Sequence, residues 1–519
     1  MTGPRPDIQQ ILSWLQVVAR AGQRRGDLQL DSRRVGAGDI FVALPGAIAG
    51  GDDGRRYLQA ARSRGAAAAL VEAEGFVGAD GDLPVLAVPR LRHVLGPLAA
   101  RYYGSPAASM QVVGVTGTNG KTSTAFWIAQ MLSGAGRRCA VLGTVGGGFP
   151  GEPLADAALT TPDAIALQRE VLRLRDAGAR ALVMEVSSIG LEQGRVNGID
   201  FDVAVFTNLT RDHLDYHGSM QAYEAAKALL FDWSTLGAAV LNLDDPAGGR
   251  LLARLADRAR AGALRVTGFT AAAGGPGPEA CAAGIATLLR ARDVRAGADG
   301  IELTLQRGQS EHRIAAPLVG SFNVSNLLAT IGAVVACGVD FEEACRLAPA
   351  LQPPPGRMQR VRTRDGDEPL VVIDYAHTAD AVEQALLALL PQASARGGRL
   401  WIVFGAGGDR DAGKRAPMGA AAGRHADRIV ITSDNPRRED PAAIVAAVAA
   451  GAPTRGDVEL IVDRAEAIAH ALACADDRDV VLIAGKGHEA TQDIGGVKRP
   501  FSDIEQARVA LRARAGVTC

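Results

Sequence analysis

The chain has 519 residues, and 56 basic against 57 acidic side chains leave a net charge of −1. That length exceeds one hydrophobic core and points to about three domains. A near-neutral balance with 4% aromatic residues supplies neither the field nor the stacking platforms of a nucleic-acid partner. The first ten residues hold no apolar signal core and the longest alanine-rich run is too short for a membrane span, so a soluble cytoplasmic protein is expected. Cys139, Cys281, Cys337, Cys345, Cys474 and Cys519 are scattered with no C-x-x-C pair, which argues against a zinc site or a disulfide framework.

In chain order, strand candidates at 39–44 and 84–88 flank an alanine-rich helical stretch, a small α/β unit. From 110 onward, apolar β-rich runs at 112–115, 140–142, 181–186, 203–206 and 239–243 alternate with helix-length segments, the signature of a mostly parallel sheet. The Gly/Pro-rich stretch at 273–278 reads as a surface loop, and Pro353-Pro354-Pro355-Gly356 as a break that stops the preceding helix. Runs at 370–373, 400–404, 429–432 and 480–483 then give a third α/β segment. The expected domains are 1–106, 107–352 and 353–519, with no internal repeat.

The most informative segment follows the 112–115 run: Thr116-Gly117-Thr118-Asn119-Gly120-Lys121-Thr122. A buried strand, a Gly-rich turn and a helix start cradle nucleotide phosphates, because the turn's N–H groups and the helix N-terminus attract phosphate oxygens. Lys121 adds a point charge, and the Thr122 hydroxyl can ligate Mg²⁺. Val115 stands where the common G-x-x-x-x-G-K-[ST] pattern has its first glycine, so this is a variant loop. Glu185 ends the 181–186 run, where open α/β sheets hold ligands, and is a candidate Mg²⁺ ligand. Thr207-Asn208-Leu209-Thr210-Arg211-Asp212-His213-Leu214-Asp215-Tyr216-His217 packs charge and imidazole directly after another buried run; His213 is the favoured metal or phosphate contact and His217 is set aside.

These motifs, followed by Tyr223-Glu224-Ala225-Ala226-Lys227, together resemble the Mur ligases, cytoplasmic enzymes that extend the peptidoglycan precursor peptide by ATP-driven amide formation. The resemblance covers nearly the whole chain. It continues through Ser321-Phe322-Asn323-Val324-Ser325-Asn326, Pro355-Gly356-Arg357-Met358, Asp374-Tyr375-Ala376-His377-Thr378, Gly407-Gly408-Asp409-Arg410, Asp434-Asn435-Pro436-Arg437 and Gly485-Lys486-Gly487-His488-Glu489. The last three point to the branch that adds the third residue. The implied fold is a three-domain α/β protein: a small uridine-binding N-terminal domain, a P-loop ATPase-like central domain and a Rossmann-like C-terminal domain.

The resemblance also implies residue roles. Gly117, Thr118, Asn119, Gly120, Lys121, Thr122, Asn326, Arg357, Asp374 and His377 would bind ATP, with Arg357 on the γ-phosphate. Thr122, Glu185, His213 and a carbamylated Lys227 would hold Mg²⁺. A lysine kept neutral by burial or nearby cations can add CO₂ and become an anionic oxygen ligand, which a cationic lysine cannot. Lys121, Lys227, His213 and Arg357 form the catalytic set. Ser32, Thr160, Thr161, Ser187, Gln193 and Arg195 would meet the UDP-N-acetylmuramoyl-L-alanyl-D-glutamate substrate. Arg410, Asp434, Asn435, Pro436, Arg437, Gly485 and Glu489 would take meso-diaminopimelate, whose distal carboxylate and ammonium call for an arginine and an acidic partner. A lysine-adding enzyme would leave Arg437 without a carboxylate to pair. The implied enzyme is a monomer with small-molecule substrates and no membrane partner. Alternatives are a lysine-adding ligase, a folylpolyglutamate synthetase, or an ATP-switched binding protein that makes no bond. Two departures stand out: Ile189 where the family usually has His, and Gly50-Gly51-Asp52-Asp53-Gly54-Arg55-Arg56 in place of a D-G-H segment.

Overall fold

The computed structural model describes residues 7–19, 26–46, 52–78, 81–155, 159–275, 284–297, 300–363, 368–409, 411–453 and 457–516. Arg410, the tip of the 273–278 loop and Gly50-Gly51 lie outside them. The chain divides into two compact units, 1–268 with 277–286 and 332–339, and 269–276 with 287–331 and 340–519.

The first unit opens with α1 (Ile8–Ala19) and a parallel sheet of β1 (Leu28–Gln29), β2 (Ile40–Ala43), β3 (Ala68–Glu72) and β4 (Val85–Val88), with α2 (Leu58–Ser63) in the crossover from β2 to β3 and α3 (Leu91–Tyr102) after β4. The alanine-rich stretch expected to be helical is thus split: α2 ends at Ser63, and Ala68-Ala69-Leu70-Val71 becomes a strand, buried on both faces between β2 and β4. Tertiary burial overrides alanine's helix preference there.

The larger sheet of this unit runs β11-β10-β9-β5-β8-β6-β7. Its strands are β5 (Gln111–Thr116), β6 (Cys139–Gly143), β7 (Gly146–Gly148), β8 (Ala181–Glu185), β9 (Val203–Phe206), β10 (Ala238–Asn242) and β11 (Arg265–Thr270). β5, β6, β8, β9 and β10 are parallel and carry the five runs read from the sequence. Helices α4 (Lys121–Gly134), α5 (Ala164–Asp176), α6 (Ser188–Glu192), α7 (Leu214–His217), α8 (Met220–Ala228) and α9 (Pro246–Arg260) connect them. β8 is Ala, Leu, Val and Met up to its last residue and half of β5 is valine because helices cover both faces, and Thr116 and Glu185 stand where the strands stop.

In the second unit, β12 (Thr287–Gly297), β13 (Gly300–Arg307) and β14 (Ser310–Ala316) form an antiparallel meander that the sequence reading did not anticipate. α10 (Phe322–Ala336) and α11 (Phe341–Leu347) follow. A sheet ordered β15-β16-β20-β17-β18-β19 then forms from β15 (Gln359–Val361), β16 (Leu370–Asp374), β17 (Leu400–Phe404), β18 (Arg428–Ile431), β19 (Val458–Leu460) and β20 (Val480–Ala484). Only β15 is antiparallel. Helices α12 (Ala379–Arg396), α13 (Arg415–His425), α14 (Pro441–Ala449), α15 (Arg464–Cys474) and α16 (Asp503–Gly516) flank it, and a hairpin of β21 (Thr491–Ile494) and β22 (Val497–Pro500) precedes α16. The C-terminal ends of β16, β17, β18 and β20 lead into the four motif loops, the place where open α/β sheets bind ligands. No described helix is long and apolar enough to cross a membrane.

Candidate active site

β5 ends at Thr116, and the loop turns through Gly117 at φ 147° and Gly120 at φ 81° before α4 starts on Lys121. A Cβ on Gly117 would lie 1.9 Å from Thr207 Oγ1, so only glycine fits. The loop is held by the segment after β9. Thr207 Oγ1 donates to the Asn119 carbonyl at 2.6 Å, Asn208 Oδ1 accepts from Asn119 N at 2.8 Å, and Thr118 N donates to the Asn208 carbonyl at 2.9 Å. The two sequence motifs are therefore one built object.

Glu185 is 1% exposed at the end of β8, in register with Val115. Thr122 Oγ1 lies 2.9 and 3.0 Å from its two oxygens, and Thr144 N donates to Oε1 at 2.7 Å. Thr144 Oγ1 also reaches Oε2 at 3.3 Å and the Thr160 hydroxyl at 3.0 Å. A carboxylate beside a hydroxyl at a phosphate loop is a hard-oxygen donor pair suited to Mg²⁺. Among the described residues no group of three or more His, Cys, Asp or Glu could hold a metal. An ion here would complete its shell with water and phosphate oxygens, as Mg²⁺ prefers.

Lys227 is 2% exposed on α8, and its Nζ donates to the Gly117 carbonyl at 2.7 Å while lying 4.3 Å from the Tyr223 ring centre. Lys121 Nζ donates to the same carbonyl at 3.1 Å and to that of Thr118 at 2.8 Å. Burial, then the Lys121 charge, pushes the Lys227 amine well below the ordinary lysine range. His213, at φ 51° and half exposed, lies 3.4 Å from Asp212 and edge-on to Tyr223, not against Glu185. His217, set aside in the sequence, has its Nε2 2.9 Å from Ser188 Oγ and its ring 5.2 Å from that of Tyr223.

Thr161 and Ser187 lie on the other side of Glu185: Thr161 Oγ1 donates to the Glu185 carbonyl at 3.0 Å and accepts from Ser187 N at 2.9 Å. Arg195 donates to the Thr161 carbonyl at 2.9 Å and to Gln193 Oε1 at 2.7 and 3.0 Å, so Thr161, Ser187, Gln193 and Arg195 form one chain of contacts. Ser32 is buried in a short turn after Asp31, in the N-terminal sheet's loops.

In the second unit, Asp374 closes β16 and accepts from Met358 N at 2.8 Å; burial raises its pKa, with Arg357 pulling the other way. Arg357 sits 4.7 Å from the Tyr375 ring centre, and its buried Nε has no hydrogen-bond partner among the described residues. His377 is bonded to the Tyr375 carbonyl at 2.8 Å, and burial lowers its pKa. Asn326 is buried on α10, donating to Asn323 Oδ1 at 2.8 Å.

Asp434 and Asn435 are buried after β18. Asn435 Nδ2 donates to Glu489 Oε2 at 2.8 Å, and Gln492 Nε2 to the Asp434 carbonyl at 2.7 Å. Arg437, at φ 51°, anchors one guanidinium nitrogen on the Gly408 carbonyl at 2.6 Å. Gly485, at φ 117°, admits Asp434: a Cβ there would lie 2.4 Å from Asp434 Oδ2. Asp434 and Gly485, and Asn435 and Glu489, are thus in contact, with Arg437 two residues along the same loop from Asn435.

Residues 27–103 match the family model described as Mur ligase family, catalytic domain; 115–334 match Mur ligase middle domain; and 356–487 match Mur ligase, glutamate ligase domain. The chain belongs to the Mur ligase family. A relative from Ralstonia nicotianae described as UDP-N-acetylmuramoyl-L-alanyl-D-glutamate--2,6-diaminopimelate ligase is 50% identical over 507 residues, 97% of this chain and 96% of its own. One of the same description from Pseudomonas aeruginosa is 49% identical over 488 residues, 94% and 95% of the two chains. A solved structure of a UDP-N-acetylmuramoyl-L-alanyl-D-glutamate--2,6-diaminopimelate ligase superposes with a TM-score of 0.66 at 37% identity, over 95% and 96% of the chains. The MurF ligase from Thermotoga maritima, solved in complex with ADP, gives 0.58 at 20% identity over 95% and 98%, a likeness of fold.

As a Mur ligase the chain is an ATP-dependent, amide-forming enzyme of three-domain α/β architecture. Sequence reading missed several residues around its site. Thr144 stands between β6 and the glycine-rich β7 with no motif to mark it, and Lys486 was quoted inside a motif without a role. The Arg464–Asp503 pair beneath Asp434 is fully buried, bonded at 2.7 and 2.8 Å, and joins residues too far apart in sequence to be read together.

Proposed function

We propose that the protein adds meso-diaminopimelate to UDP-N-acetylmuramoyl-L-alanyl-D-glutamate with ATP as co-substrate, in cytoplasmic peptidoglycan precursor synthesis. The observation that carries the reading is the cluster of Asp434, Asn435, Arg437 and Glu489. A guanidinium anchored by one nitrogen leaves its others for a carboxylate, and a partly exposed glutamate bonded to Asn435 can take an ammonium. The relatives' names give the same amino acid.

Under this reading Gly117, Thr118, Asn119, Gly120, Lys121 and Thr122 cradle the phosphates, and Asn326, Asp374 and His377 take the nucleoside. The substrate's D-Glu γ-carboxylate attacks the γ-phosphorus, the bond to ADP breaks, and an acyl phosphate forms. Lys121 and Arg357 spread the charge that develops on the transferring group. The unpaired buried Nε of Arg357 leaves it a donor to spend on an anion. The neutral amine of diaminopimelate attacks the acyl carbon, a tetrahedral intermediate collapses, phosphate leaves and the amine's proton is lost. Thr122 and Glu185 would hold Mg²⁺, which when bound would supply charge neutralisation at the phosphates. Lys227, as a carbamate, and His213 would extend that ligand set, while Ser32, Thr160, Thr161, Ser187, Gln193 and Arg195 would hold the UDP-muramoyl dipeptide. The domains of this reading are 1–106, 107–352 and 353–519.

The test measures phosphate release and product mass with ATP, Mg²⁺ and the UDP-muramoyl dipeptide, comparing meso-diaminopimelate with L-lysine. Turnover with diaminopimelate alone, and a product heavier by that residue, is expected. Equal turnover with lysine would overturn the specificity; no turnover with either, in folded protein that binds ATP, would overturn the ligase reading for this chain.

A further inference from the structure

The amino-acid cluster contains a cation that its motif reading leaves without work. Lys486 is 0% exposed in the loop after β20, yet it is not an idle core lysine. Its Nζ donates to Glu489 Oε2 at 2.7 Å and to Asn435 Oδ1 at 3.1 Å. Asn435 Nδ2 donates to the same Oε2 at 2.8 Å, and Asn435 Oδ1 also accepts from Asp493 N at 2.9 Å. A closed triangle of Lys486, Asn435 and Glu489 results. It fixes the orientation of the Asn435 amide, because both donors to its oxygen are identified by geometry. It also assigns the two glutamate oxygens different tasks: Oε2 takes two donors inside the protein, while among the described residues Oε1 accepts no hydrogen bond.

We propose that Lys486 is a positioning residue for the amino-acid substrate, locking Glu489 by Oε2 so that Oε1 is presented to the substrate's distal ammonium. This rests on the diaminopimelate reading above. A carboxylate swinging freely on a glutamate stem would lose rotamer freedom on every binding event; one already clamped has lost it beforehand. The clamp acts on charge as well. Burial pushes the Glu489 carboxyl up, but the Lys486 charge, the hydrogen bonds from Lys486 and Asn435 and the neighbouring His488 together outweigh it, and the carboxyl stays below the usual glutamate range, ready for a cation at neutral pH. Two buried acids bear on the loop, Asp434 at its side and Asp503 beyond it; Arg464 is bonded to Asp503 and adjoins Asp434. Lys486 is therefore the cation bonded to Glu489 itself.

The test compares wild type with Lys486→Met in steady-state phosphate release, using meso-diaminopimelate and 2-aminopimelate, which keeps the distal carboxylate and lacks the distal amine. For Lys486→Met the KM for diaminopimelate should rise on the order of tenfold, the loss of one well-held charge-assisted contact. kcat and the KM values for ATP and for 2-aminopimelate should change little. The KM for diaminopimelate should also worsen as pH falls through the mildly acidic range, where wild type stays flat, because Glu489 without its cation titrates higher. Since Lys486→Met strands a buried carboxylate, Lys486→Met/Glu489→Gln is measured beside Glu489→Gln; the added Lys486 change should then cost diaminopimelate nothing further. Equal loss with both amino acids, or an undiminished effect in the Glu489→Gln background, would assign Lys486 a merely structural role and overturn the proposal. If wild type itself shows no diaminopimelate-dependent turnover, the functional reading fails instead.

Discussion

Adding one methyl group at Gly143 should disable the metal site proposed at Glu185. Gly143 ends β6 next to β8, and a Cβ built on it falls 2.1 Å from Glu185 Oε1 and 2.7 Å from the two carbons behind it. An ordinary contact needs about 3.4 Å, so the carboxylate must retreat by roughly 1 Å. The strands cannot absorb that shift, because β6 and β8 are hydrogen-bonded neighbours in a parallel sheet buried on both faces. Oε1 receives Thr122 Oγ1 at 2.9 Å and Thr144 N at 2.7 Å, and both bonds are lost together. Misplacing a catalytic ligand by about 1 Å costs on the order of 10²-fold in rate. Losing two bonds to a charged acceptor costs about 3 kcal/mol of stability. The assay is phosphate release at saturating substrates across a Mg²⁺ titration, with a urea melt alongside to read the stability term. Gly143→Ala should lower kcat about 100-fold and raise the Mg²⁺ requirement. A kcat within about threefold of wild type and an unchanged Mg²⁺ midpoint would refute the placement of Glu185 as the metal ligand.

Four further outcomes are expected. Lys227→Ala should lose most activity and regain part of it with added short carboxylates, which stand in for the carbamate; full activity without rescue would count against it. In CO₂-free buffer the unfolded chain binds the Lys227 proton up to the ordinary value of 10.5, while the folded chain releases it at lower pH. Stability should therefore rise with pH across that window and fall on acidification, and Lys227→Met should flatten the slope in urea melts. Asp503→Asn strands the fully buried Arg464 charge and should cost about 3–5 kcal/mol in a urea melt, whereas Arg464→Met/Asp503→Leu should cost much less. Arg437→Lys should raise the KM for diaminopimelate by about 10- to 100-fold, since an ammonium cannot hold the Gly408 carbonyl and a carboxylate in one plane; an unchanged KM would remove Arg437 from the subsite.

Much of the scaffold was legible because its strands are buried on both faces and so are written as unbroken Val, Ile, Leu and Ala runs. β9 and β17 have the same ends in the sequence reading and in the structure. Ala68–Glu72 was not legible, since alanine favours a helix by itself and only the neighbouring strands make it extended. The meander β12–β14 alternates charged with apolar residues over long strands, and that weaker period went unread in a chain dominated by parallel-sheet runs. At the site, the phosphate loop declares itself through glycine spacing and a terminal Lys-Thr. Glu185 was reachable from its position at a strand end. Lys227 came only through the family resemblance: by itself a lysine on a helix reads as solvated surface, and its burial against Gly117 and Tyr223 depends on how α8 folds back over the loop. Thr144, Lys486 and the Arg464–Asp503 pair escaped for the same reason, as their partners are remote in sequence.

The pairing of Val115 with Glu185 has a bearing on how this protein can vary. The phosphate loop and the carboxylate that faces it descend from adjacent strands, so their separation is a property of a backbone ladder and not of any side-chain contact. Sliding β8 by one residue would offer Val186 in place of the acid and turn the whole strand over. The helices and outer loops can therefore diverge widely while this distance stays put, and a designer wishing to alter the reaction has free choice of walls but a fixed floor.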